Sequence, residues 1–228
     1  MTDRARQGRG APRSAPPVEG EPEKRRAILH AAVRVFADKG YHGCRIADVA
    51  RAANVAYGLV YHYFKNKDEL LESVFAEQWT ILTTALASIG AGPGTAADKI
   101  AGLFGFVFDV YKTAPAAVRV LILEVTRTPQ GLRAGSTRET FERAVQLVAD
   151  IVREGQARGE LRPEVDPVIA ATGILGQMEL ALSGMVVGLV PAGSEEAIDR
   201  VKGQVIGLAL GGLRGDARPP KSVDVSLR

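Results

Sequence analysis

Residues 46–71 read IADVARAANVAYGLVYHYFKNKDELL, and the spacing of their apolar side chains decides the fold class. Ile46, Val49, Ala50 and Ala53 recur at helical intervals and predict a short helix. Asn54 stands where the chain must turn, and Asn tolerates the left-handed backbone of a tight turn. Val55, Val60 and Phe64 predict a second short helix with one buried side. Two short helices joined in this way make a helix-turn-helix. Asn66 with Glu69 then resembles a capping box, in which Asn66 caps and Glu69 reaches back. A long helix follows through Leu70, Leu71, Val74, Phe75, Trp79 and Leu82 to about Ile89.

Outward from this stretch the same periodicity continues. Ile28, Leu29, Ala32, Val33 and Phe36 predict an amphipathic first helix that ends at Gly40. Thr95 with Asp98 opens a fifth helix, broken near Ala114 and Pro115. Pro115 suits the first turn of a sixth, which stops before Thr128 and Pro129. Ser136 with Glu139 reads as a second capping box for a seventh helix, with Gly159 as its stop. Asp166-Pro167 and Ser194-Glu195-Glu196 open the eighth and ninth, the last ending near Gly211 and Gly212. No strand pattern emerges, so the chain is expected to be all-α with about nine helices.

Composition narrows the function. With 228 residues, 46% of them hydrophobic and 24% charged, the chain can bury a core and is not wholly disordered. Cys44 is the only cysteine, so no internal disulfide can form, and with three scattered His it offers no zinc site. No Gly-rich phosphate loop or spaced nucleophile–base pair is present, so neither an enzyme nor a cofactor is expected. The N-terminus lacks the apolar run of a secretory signal. Residues 167–190 are long enough to span a bilayer, but Gln177 and Glu179 sit mid-segment, and a carboxylate there is costly. A helix buried on most sides inside a protein bundle is the better reading. No membrane partner is expected, and the protein is expected in the cytoplasm, on the nucleoid when bound to DNA.

Charge is unevenly spread. Residues 23–67 carry nine Lys or Arg against three acids, while residues 68–228 carry sixteen against twenty. One short basic segment therefore sits on a mildly acidic body, as in a polyanion-binding module. With Val55, Val60 and Phe64 inward, the third helix turns Tyr57, Gly58, Tyr61, His62 and Lys65 outward. Gly58 permits close approach of backbone to another surface, Tyr61 and His62 can donate to phosphate oxygens, and Lys65 adds charge. Lys67 lies in the first turn of the fourth helix, where free N–H groups favour an anion. A helix of this width fits the DNA major groove. The plainer alternative is a solvated basic face over core aromatics.

The runs AAVRVFADKGY (31–41), IADVA (46–50) and VAYGLVYHYFKNKDELL (55–71) resemble the N-terminal domain of the TetR (tetracycline-repressor-like) family. The match covers roughly residues 24–71. It implies an all-helical homodimeric repressor with a variable C-terminal effector domain. By position, the resemblance puts Tyr57, Gly58 and Leu59 against bases, and Tyr61, His62, Tyr63, Lys65 and Lys67 against phosphates. Arg45 matches a further DNA-facing position. Two residues depart from the pattern. Cys44 stands where the family usually has Thr or Ser, which weakens a cap, and a thiol near a helix N-terminus can in principle be acidified into a redox sensor. A small, partly buried structural residue is the plainer reading. Asn54 replaces a common turn glycine.

The expected organisation is an N-terminal arm over residues 1–22, a DNA-binding domain over 23–67, a ligand-binding and dimerisation domain over 68–214, and a tail over 215–228. Arg4, Arg6, Arg9 and Arg13 of the arm could reach a minor groove, although a passive extension is the simpler reading. In the body, Gly203, Gly207 and Gly211 recur every four residues, and Gly184 and Gly188 repeat the spacing. Glycine inside a helix costs up to about 1 kcal/mol against Ala, which close helix approach can offset. The resemblance places the two-fold interface on these last two helices. Trp79, Phe104, Phe106, Phe108 and Tyr111 could line an effector pocket or simply form core. Glu124, Gln177 and Glu179 are polar groups in apolar helices and would need partners if buried, a ligand or a neighbour such as Arg127.

These readings combine into a ligand-responsive repressor. It would bind a palindromic double-stranded operator as a homodimer and be released by a small hydrophobic effector. The alternative is a DNA-binding regulator with no effector. An acyl-CoA is a family possibility, but the body shows no obvious Lys/Arg cluster for its phosphates.

Overall fold

A computed structural model describes residues 21–125 and 135–214, with side chains described for 22–122 and 138–214. The expected arm up to residue 20, the tail from 215, and the break at Thr128 and Pro129 lie outside the described residues. Among the described residues the chain forms α1 (Glu21–Gly43), α2 (Ile46–Ala52), α3 (Tyr57–Tyr63), α4 (Lys67–Ala91), α5 (Ala96–Thr113), α6 (Pro115–Val125), α7 (Gly135–Ala157), α8 (Pro167–Val186) and α9 (Glu195–Leu213).

Most boundaries lie where local chemistry puts them. Helical geometry in α1 breaks at Gly40, whose φ of 67° and ψ of 166° suit a residue without Cβ. Asn54 joins α2 to α3 in the left-handed region, at φ 53°. Asn66 caps α4 by accepting from the Glu69 N–H at 2.8 Å. Glu69 reaches back one residue further than a capping box requires, to the Lys65 N–H at 2.7 Å. Thr95 and Asp98 form the full reciprocal box that opens α5. Asp166 accepts from the N–H groups of Val168 and Ile169, with Pro167 in the first position of α8. Ser194 caps α9 through the Ala197 N–H. The cap expected at Ser136 is a correction: α7 is already helical at Gly135, so Ser136 lies inside the helix.

Two apolar cores result. In the head, Ile28, Leu29 and Phe36 of α1 pack with Val49, Val60 and Phe64, and with Leu70 and Val74 from the start of α4. In the body, Leu86, Ile100, Phe104, Phe108, Val148, Val152, Ile174 and Met178 form the larger core. Helix α6 belongs to both, since Ala117 and Val120 face the head core while Val118 and Ile122 face the body core. Helices α4 and α6 therefore join head to body by shared packing, not by a linker.

Polar contacts then fix the body. Lys99, only 5% exposed, pairs with Glu154 at 2.7 Å and so pins α5 to α7. Asp199 of α9 takes Lys112 of α5 at 2.7 Å and Lys202 at 2.8 Å. Helix α8 is long and apolar enough to cross a membrane by length and composition, but its inner side packs into the body core. Its outer side leaves Ile169, Gly173, Gly176, Gln177 and Leu180 exposed.

Candidate nucleic-acid interface

The head aims one face of α3 away from the core. Val60 and Phe64 are buried, which fixes the rotation of the helix and sends Tyr57, Gly58, Tyr61 and His62 outward. Tyr57 and Tyr61 are 54% and 45% exposed, although large aromatics ordinarily gain by burial. Their rings meet edge-to-face, and the two hydroxyls share a hydrogen bond at 3.2 Å. Sharing that bond with Tyr57 is the main reason the Tyr61 phenol is held above its ordinary pKa. A Cβ on Gly58 would meet nothing within 4 Å, so the fold itself gives no reason for glycine there. Leu59 and Tyr63 are half-buried beside this face, and Lys65 is exposed at the end of the helix.

Helix α2 supplies the edge of the surface. Arg45 is exposed at its N-terminal boundary, and its backbone N–H donates to Asp48 at 3.1 Å. Lys39 sits 2.9 Å from Asp48, and it is the main cause holding that carboxyl below the usual carboxylate range. Lys67 has a second task that spacing did not reveal. Its ammonium donates to the carbonyls of Tyr41 and Cys44 at 2.7 and 3.1 Å and lies over the Tyr41 ring. It braces the turn between α1 and α2 and keeps one further N–H. Cys44 is buried, and burial pushes its thiol pKa up, with Lys67 a smaller opposing influence. Its burial fits the plainer reading of a structural residue.

The body residues separate into three groups. Phe104 and Phe108 are fully buried core, and Tyr111 is half-buried at the side of the body near α1 and α6. Trp79 is half-buried against Phe141, and its indole N–H is buried without an acceptor among the described residues. A carboxylate oxygen of Glu77 is likewise buried without a donor among them. Gln177 and Glu179 are exposed, which corrects the expectation that they are polar groups inside the bundle. The side chain of Glu124 lies outside the described residues.

The five glycines also divide. Gly203, Gly207 and Gly211 are exposed on α9, and a Cβ at any of them would meet nothing within 4 Å. Gly184 is buried, where a Cβ would come within 2.8 Å of Val190, and Gly188 ends α8 at φ 79°. These two have reasons within the chain, and the other three do not. Gly173 and Gly176 on α8 share the open setting of the α9 glycines and were missed, although the same small-residue signal marks them. Leu180 and Leu208 lie exposed on the same two helices, at 72% and 70%.

A helix-turn-helix head with an outward aromatic third helix flanked by exposed Arg45 and Lys65, set on a helical body, defines a class of DNA-binding regulators. The profile described as "Bacterial regulatory proteins, tetR family" matches residues 28–74, and "Tetracyclin repressor-like, C-terminal domain" matches 97–183. The chain belongs to the TetR family of transcriptional regulators, which are not enzymes. It is 29% identical over 152 residues to the fatty acid metabolism regulator protein of Bacillus subtilis, covering 67% of this chain and 78% of that one. It is 28% identical over 161 residues to the transcriptional repressor KstR2 of Mycolicibacterium smegmatis, covering 67% and 75%. Its fold matches the B. subtilis regulator FadR in complex with stearoyl-CoA with a TM-score of 0.73 and 26% identity, over 82% of this chain and 98% of the other.

Proposed function

We propose that this regulator is a repressor that binds a two-half-site operator as a homodimer and leaves it when a long apolar effector binds the body. The observation that carries the DNA reading is the α3 face, where Tyr57, Tyr61 and His62 stand exposed beside Gly58, at which a Cβ would meet nothing within 4 Å. Tyr57, Gly58 and Leu59 are assigned to bases. Arg45, Tyr61, His62, Tyr63, Lys65 and the remaining N–H of Lys67 are assigned to phosphates.

The homodimer reading rests on the outer face of α8 and α9. Glycines that cost helix stability lie open there beside exposed Leu180 and Leu208. A second copy packing helix against helix would cover both. A stearoyl-CoA complex of a related regulator makes long acyl thioesters the first effector class to test. The orphan indole N–H of Trp79 is a candidate donor to that effector.

The test is fluorescence anisotropy on DNA from the protein's own promoter, with and without palmitoyl-CoA, over a salt series. Steep salt dependence and release by palmitoyl-CoA support the reading. Salt-steep binding that no apolar compound reverses would leave a regulator without an effector.

A further inference from the structure

Between head and body lies a groove of about 370 Å³, lined by Arg34, Ala37 and Asp38 of α1, Tyr111 of α5, Pro115, Ala116 and Arg119 of α6, and Val186 of α8. Its size is within the range of small-molecule sites, and its lining is mixed, with apolar walls and three charged side chains. Arg119 makes no ion pair or hydrogen bond among the described residues. Arg34 donates only to the Ala52 carbonyl, at 3.4 Å, leaving most of its guanidinium fork unused. Asp38 also lines the groove, so the charge there is two Arg against one acid. Nearby acids are committed elsewhere: Asp48 to Lys39, and Asp109 to Lys202.

Two Arg lining one groove outnumber its single carboxylate, Asp38, and suit a planar or tetrahedral oxyanion, which Arg binds bidentately. We propose that this groove is an anion site for the phosphate- or carboxylate-bearing end of an amphipathic ligand. Ala37, Pro115, Ala116 and Val186 would hold the first apolar groups behind that end. The site takes one Arg from α1 and one from α6, so an occupant ties the position of one helix to that of the other. The proposal deepens the effector reading by naming the effector's polar end, and it rests on that reading only for the link to DNA release.

The experiment is calorimetric titration of the full-length protein at low salt with two probes. Coenzyme A offers phosphates without an acyl chain, and palmitate offers a carboxylate with one. Arg119→Gln should weaken binding at least tenfold, Arg119→Lys should restore only part of it because a point charge cannot replace the bidentate fork, and Asp38→Asn should strengthen it. Thermal melts verify that each variant is folded. This pattern with coenzyme A assigns the phosphate end, and the same pattern with palmitate assigns the carboxylate end. Binding of neither probe overturns the proposal, and so does binding that ignores both Arg119→Gln and Asp38→Asn. Palmitoyl-CoA releasing DNA equally from wild type and Arg119→Gln would sink the groove but keep the effector. Charge-dependent binding of coenzyme A without DNA release by any acyl compound would do the reverse.

Discussion

At the scale of single residues, local chemistry in the head is tightly specified. Asn54 holds φ 53° between α2 and α3, and a β-branched residue has no comfortable conformation there. Asn54→Val should cost about 1–2 kcal/mol in denaturant melts, and Asn54→Gly should be close to neutral. Equal stability of the valine variant would show that the turn relaxes. This position was legible beforehand because a turn between two short helices needs a left-handed residue. The internal role of Lys67 was not, since its partners Tyr41 and Cys44 are more than twenty residues away.

At the scale of helices, glycines on different faces should answer mutation in opposite ways. A Cβ on Gly155 of α7 would sit 2.4 Å from the Cβ of Ala96 and 2.9 Å from Leu161, so α7 meets the start of α5 there with no room to spare. Gly155→Ala should destabilise by about 1–3 kcal/mol, read by chemical denaturation. Gly207 of α9 is open within the chain. Gly207→Leu should therefore leave the subunit folded and dissociate the proposed dimer in sedimentation velocity. A variant that remains fully dimeric removes α9 from the interface. Spacing alone grouped Gly184 with Gly207, because it reports which residues share a helix face and not what lies opposite that face.

At the scale of the whole molecule, charge pairs make stability depend on pH. The carboxyls of Asp48, Asp98, Glu154 and Asp199 are held below their ordinary values, chiefly by hydrogen bonds from Lys39, Thr95, Lys99 and Lys112 respectively. Groups with lowered folded pKa stabilise fully above their unfolded values near 4, and that contribution disappears as pH falls through the folded ones. The melting temperature should be flat between about pH 7 and 5 and then fall. Glu154→Gln should lower the plateau, because Lys99 is left buried without its partner, and should also flatten the acid slope. Lys202 is held above its ordinary pKa by Asp199, so its contribution is full below about 10.5 and is lost as pH rises past that. An acid limb of unchanged slope in Glu154→Gln would show that its pairing with Lys99 contributes little.

The all-α class, the turn at Asn54, most caps and the outward face of α3 follow from residues within about four positions of one another, the range over which helix periodicity and capping act. The basic head and its family resemblance needed nothing beyond the chain written out. Tertiary structure alone decided which polar residues are buried, and so moved Gln177 and Glu179 to the surface. It alone separated glycines facing a neighbour from glycines facing open space. A search of the body for a cationic cluster could not succeed, because Arg34 and Arg119 lie on different helices far apart in sequence and share a groove only once α6 packs against α1. Burial and cross-element charge are sums over neighbours distant in sequence, and they do not exist until the helices are packed.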